Sequence, residues 1–100
     1  MNEPRIQIPE NQIAAFCRRN QIQRLALFGS VLRDDFGPGS DVDVLVAFEA
    51  GAHVGFLALG RMQRELSALL GRPVDLVPLE GLKPTVREEV LPRAEVLYAV

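Results

Sequence analysis

Apolar positions along the chain switch between helical spacing and the tight alternation of strands, and the switches divide it into short elements. Behind residues 1–8, which read as a loose N-terminus, Pro9 opens a helix from Glu10 to Asn20 with Ile13, Phe16 and Cys17 on its buried side. Arg24 to Phe28 reads as a short strand ending at Gly29. Val31 to Asp35 suits one helical turn, and Phe36 to Ser40 a loop by its Gly and Pro content. Asp41 to Phe48 is the second strand, followed by a connection over Glu49 to His53. Phe56, Leu57, Leu59, Met62, Leu66, Leu69 and Leu70 then recur at helical spacing up to Gly71, the C-cap of the longest helix. Val74 to Val77 is a third strand, Thr85 to Leu91 a short helix behind Pro84, and Glu95 to Val100 a last strand. Three to four strands with two larger helices predict an α/β (α+β) domain of two layers, a small mixed sheet covered by helices.

Composition narrows the partners more than the fold. A chain of 100 residues supports one core, so residues 1–100 are expected to form a single domain. The 48% apolar and 24% charged content is that of an ordinary globular protein. No stretch approaches a membrane span and no basic-then-apolar leader opens the chain, so no membrane association and a cytoplasmic location are expected. A formal net charge of -2 gives no global attraction to a polyanion, and direct nucleic-acid binding is not expected. Cys17 is the single cysteine; it has no internal disulfide partner and reads as a small buried apolar residue.

The chemistry concentrates in one place. Asp41 and Asp43 stand two apart in the apolar run Ser40-Asp41-Val42-Asp43-Val44-Leu45-Val46, so in a strand both carboxylates leave by the same face. Like charges held that close favour a cation between them, and a divalent metal is the obvious candidate. Ten residues earlier, Gly29-Ser30 ends a strand with a turn able to offer backbone N–H groups and a hydroxyl to a phosphate. Phosphoryl and nucleotidyl transfer needs alignment and charge neutralisation above all, and a pair of Mg2+ ions about 3.5–4 Å apart supplies both when carboxylates hold them. Asp75, between Val74 and Leu76 on the third strand, is the third acid, either completing the metal site or accepting a proton from the incoming hydroxyl. Arg33 pairs with a phosphate oxygen or holds the acidic loop beside it. Ser40 bonds the triphosphate or fixes the start of the strand.

Each piece taken singly has a bland explanation. Asp-x-Asp is common on solvated strand faces, Gly-Ser is an ordinary turn dipeptide, and His53 and Tyr98 read as a surface-loop histidine and a partly buried aromatic. The ordered set carries the signal.

That set resembles the signature of the DNA polymerase beta-like nucleotidyltransferase superfamily. The likeness is greatest to its minimal members, the small nucleotidyltransferase (MNT) antitoxins encoded beside HEPN-domain toxins. It extends from Leu25 to Leu97 and takes in the Gly81-Leu82-Lys83-Pro84 stretch with the Arg- and Glu-rich segment behind it. The resemblance implies transfer of AMP from ATP, with Mg2+, to a hydroxyl, in that group a tyrosine of the partner toxin. It implies Asp41 and Asp43 as the metal-binding pair, Asp75 as the third acid, and Gly29 and Ser30 as the phosphate-holding turn. Larger relatives carry extra gripping domains, so the acceptor of a chain this short is presented by another molecule, in a hetero-oligomer with the toxin. The alternative is an antitoxin that neutralises its partner by complex formation without transfer. A third reading is an antibiotic-modifying enzyme split across two chains.

Overall fold

The computed structural model describes residues 8–32 and 40–100. Its elements in chain order are α1 (Glu10–Arg19), β1 (Ile22–Phe28), a 3₁₀ turn (Gly29–Leu32), β2 (Val42–Phe48), α2 (Phe56–Leu70), β3 (Val74–Pro78), a second 3₁₀ turn (Leu79–Gly81), α3 (Pro84–Val90), a third 3₁₀ turn (Leu91–Arg93) and β4 (Glu95–Ala99). The four strands form one mixed sheet in the order β3-β2-β1-β4. β1 is antiparallel to both β2 and β4, whereas β2 and β3 are parallel. Parallel neighbours need a crossover long enough to return the chain to its starting end, and α2 is that crossover.

Local sequence explains the two large helices. In α1, Ile13, Phe16 and Cys17 form one fully buried stripe, with Glu10 in the first turn and Arg18 and Arg19 in the last, matching the helix dipole at both ends. In α2, Met62, Leu66 and Leu70 recur every fourth residue on the buried face. Gly71 stops that helix in the left-handed region at φ 68°, while the Arg72 N–H donates to the Ser67 carbonyl. The helical stripes pack on Leu25, Leu27, Val42, Val44, Val46, Val74 and Leu76, which alternate onto one face of the sheet and join Ile22 and Val31 in a single core cluster. Each such buried side chain contributes about 1.5–3 kcal/mol of transfer free energy.

The apolar pattern of α2 overstates its buried face. Phe56 and Leu57 are 88% and 86% exposed, although they fall on the helical spacing that predicted burial. They occupy the first turn, a full helix length from the Gly71 end, and the helical layer has no neighbouring element to cover them among the described residues. The other differences are small: β1 begins at Ile22 instead of Arg24, β2 at Val42 instead of Asp41, and Leu91 belongs to a 3₁₀ turn instead of α3. The helical turn expected over Val31 to Asp35 begins two residues earlier, at Gly29, and its later part lies outside the described residues, as does most of the expected loose N-terminus. Tyr98 packs against the core from β4, and His53 is exposed in the connection before α2. No helix among the described residues is long and apolar enough to cross a membrane.

Candidate active site at the carboxylate row

The site is assembled on the sheet face opposite α1 and α2. Val42 and Val44 are fully buried toward the helices, so Asp43 between them projects from the other face, half-buried. The same alternation sends Asp75 to that face, because Val74 and Leu76 on either side of it enter the core. In the parallel register Asp43 is the direct partner of Asp75, and Val42 that of Val74. Neighbouring strands lie about 4.8 Å apart, so the two carboxylates start from adjacent points of one row. Asp41 is two residues ahead of Asp43 and exposed, just before β2 begins.

β1 supplies the next member of the row. Phe28 is the antiparallel partner of Asp43, and Gly29 follows it at φ 74°, a backbone conformation that L side chains rarely adopt. Glycine is required there for a second reason. A Cβ added at Gly29 would overlap the Asp43 carboxylate, lying 3.2 Å from its Cγ and 3.3 Å from its Cβ. The Asp43 side chain is therefore seated against the turn that begins at Gly29. That turn is a 3₁₀ segment through Ser30, anchored by the fully buried Val31. Behind Asp43 on the same face, Leu45 and its partner Ala26 are buried outside the main cluster and give the row an apolar floor.

Two contacts tie the start of β2 to the start of β3. The Val42 N–H donates to the Pro73 carbonyl at 2.8 Å, and Arg72 Nη2 donates to the Ser40 carbonyl at 3.0 Å. Ser40 thus lies at the beginning of the strand with its carbonyl held from across the gap. Arg33 lies outside the described residues.

Gly29 from the turn behind β1, Asp43 from β2 and Asp75 from β3 are brought into one row, with Asp41 beside it. They do not form a ready-made cage: among the described residues no group of three His, Cys, Asp or Glu side chains is arranged to hold a metal ion. Register pairs Asp43 with Asp75, and Asp41 stands exposed just ahead of β2. Three residues that sequence reasoning passed over also bear on the site: Arg72, Gln63 and Ser67. Their signal was a polar pair, Gln63 and Ser67, four apart beside the buried stripe of α2.

A carboxylate row on adjacent strands, flanked by a glycine turn, lies on the open face of a two-layer α/β domain. The chain belongs to the nucleotidyltransferase domain family, whose model matches residues 10–97. It is 38% identical over 77 residues to the protein adenylyltransferase MntA of Thermococcus cleftensis, covering 77% of this chain and 74% of that relative. Among solved structures it is similar to a chain of a toxin–antitoxin complex with AMP-PNP, at a TM-score of 0.73 and 25% identity, covering 93% of this chain and 75% of the other. It is similar as well to a chain of the complex between a tri-AMPylated Shewanella oneidensis HEPN toxin and an MNT antitoxin, at a TM-score of 0.65 and 26% identity, covering 91% and 70% respectively.

Proposed function

We propose that this chain is a protein adenylyltransferase that moves AMP from ATP onto a hydroxyl, a tyrosine by preference, of a HEPN-domain toxin, and thereby acts as its antitoxin. The observation that carries the reading is the register of Asp43 with Asp75 beside the Gly29 turn. The adenylyltransferase named among its relatives and the toxin–antitoxin complexes among its structural neighbours support the substrate and the partner.

The order of the strands suggests a division of labour. The row runs from Gly29 behind β1 through Asp43 on β2 to Asp75 on β3, so the phosphate-holding turn and Asp75 stand at opposite ends of it. Gly29 and Ser30 receive the triphosphate, with Ser40 and Arg33 as further candidates for phosphate oxygens. The acceptor hydroxyl then approaches from the β3 side. Its oxygen forms a bond to the α-phosphorus while the bond from that phosphorus to the departing pyrophosphate breaks, and Asp75 accepts the hydroxyl proton.

Asp41 and Asp43 offer only hard carboxylate oxygens, the donor type that Mg2+ prefers. Mg2+ is commonly held by one or two carboxylates with substrate phosphates and water completing its shell, so a pair of acids without a three-residue cage fits it. When bound there it would neutralise charge on the phosphate oxygens. The closeness of the Asp43 carboxylate to Gly29 supports this reading. The test is incubation with ATP, Mg2+ and a HEPN-domain toxin that binds this chain, followed by intact-mass measurement. The partner should gain the mass of one or more AMP groups, and an unchanged partner mass with all three acids intact would overturn the reading.

A further inference from the structure

β3 lies at an edge of the sheet, so every second N–H along it points away from β2 with no strand to receive it. In this protein α2 receives them. The Val74 N–H donates to Ser67 Oγ at 3.0 Å and the Leu76 N–H to Gln63 Oε1 at 2.9 Å. Ser67 Oγ in turn donates to the Gln63 carbonyl at 2.8 Å, so its hydroxyl is used as both acceptor and donor. The two periods match: residues four apart on a helix rise about 6 Å, and residues two apart on a strand about 6.6 Å. Helix and strand run in opposite directions here, so Ser67 meets Val74 and Gln63 meets Leu76.

The residue between the two clamped N–H groups is Asp75. A slip of β3 by one residue would turn that carboxylate into the core, and a slip by two would carry it past Asp43. Pairing with β2 alone resists such slips from one side. The α2 clamp resists them from the other, and it does so through two side chains outside the carboxylate row.

We propose that Gln63 and Ser67 are positioning residues for Asp75, fixing the register of β3 so that the carboxylate stays beside Asp43. The proposal rests on the assignment of Asp75 to the transfer site. It predicts that Gln63→Met, which keeps the length of the side chain and loses the acceptor, lowers kcat for AMP transfer about 10- to 100-fold, the scale of a misplacement near 1 Å. KM for ATP stays within about twofold, because the phosphate-holding turn on β1 is untouched. Gln63→Glu, which keeps an acceptor oxygen, restores both kcat and the exchange protection of the Leu76 amide, and Ser67→Thr does the same where Ser67→Ala does not. Hydrogen exchange read without ATP, metal or partner gives the independent measurement: in Gln63→Met the Leu76 amide exchanges at least about tenfold faster while the Val44 amide is unchanged.

Equal loss in Gln63→Glu and Gln63→Met, or unchanged Leu76 exchange in Gln63→Met, overturns the positioning role. Should Gln63→Met fail to fold, the Ser67→Ala and Ser67→Thr pair decides in the same way. Asp75→Asn separates this proposal from the reading beneath it. An inactive Asp75→Asn beside a fully active Gln63→Met defeats the positioning role alone, whereas an Asp75→Asn that transfers at the parental rate defeats both.

Discussion

Replacing Gly29 with alanine separates two costs that a glycine turn usually confounds. Gly29 and Gly51 both sit in the left-handed region, at φ 74° and 84°, but a Cβ at Gly51 meets nothing within 4 Å while one at Gly29 runs into the Asp43 carboxylate. Gly51→Ala therefore carries only the conformational penalty, about 1–2 kcal/mol for an L-residue held left-handed. Gly29→Ala carries the same penalty plus an overlap, and forced overpacking adds about 1–3 kcal/mol when the surroundings do not yield. The expected losses are about 1–2 kcal/mol for Gly51→Ala and about 2–5 kcal/mol for Gly29→Ala, read at about 4–8 °C of Tm per kcal/mol for a domain of this size. If the carboxylate swings aside, the stability loss shrinks toward that of Gly51→Ala and the cost moves to catalysis, where a displacement near 1 Å lowers transfer about 100-fold. Thermal denaturation by circular dichroism and AMP-transfer assays on both variants read the two costs separately. A Gly29→Ala protein that melts with Gly51→Ala and transfers AMP at the parental rate would show that Asp43 is not seated against the turn, and the assignment of the site would fail with it.

Three further outcomes follow from the same geometry. Asp43→Asn and Asp75→Asn should each lower kcat about 10²- to 10⁴-fold while leaving the melting temperature near that of the parent; an Asp75→Asn protein that transfers AMP at the parental rate would exclude Asp75 as proton acceptor. Phe56→Ser and Leu57→Ser should change unfolding free energy by less than about 0.5 kcal/mol, against about 2–5 kcal/mol for Leu66→Ala, and comparable losses in urea titrations would return the first turn of α2 to the core. Burial pushes the Cys17 thiol up from 9.0 to about 12, with the Arg18 charge pulling slightly the other way. Between those values the unfolded chain loses the proton and the folded chain keeps it. Stability should therefore fall as pH rises from about 9 toward 12, and Cys17→Ala should remove that part of the slope; an identical slope in the variant would refute the contribution.

Local patterns along the chain were enough to define the elements and the chemical types. Alternation around Asp43 and Asp75 placed each acid opposite its buried neighbours, because a strand has only two faces and valines or leucines claimed one of them. The helical period of Met62, Leu66 and Leu70 and the glycine behind them defined the long helix, since both signals are local. Tertiary structure alone decided which strands are neighbours: nothing within Asp41–Asp43 or within Val74–Leu76 states that β2 and β3 are parallel partners with Asp43 facing Asp75. It also decided that Asp41 stands just ahead of β2 while Asp43 pairs with Asp75 inside the sheet. The exposure of Phe56 and Leu57 was hidden for the same reason, because periodicity reports which face of a helix is apolar but not how far along it the covering layer extends. Gln63 and Ser67 show the converse case. Two ordinary polar residues acquire a role only when the fold lays an edge strand beside them, and no pattern within α2 records where that strand will lie.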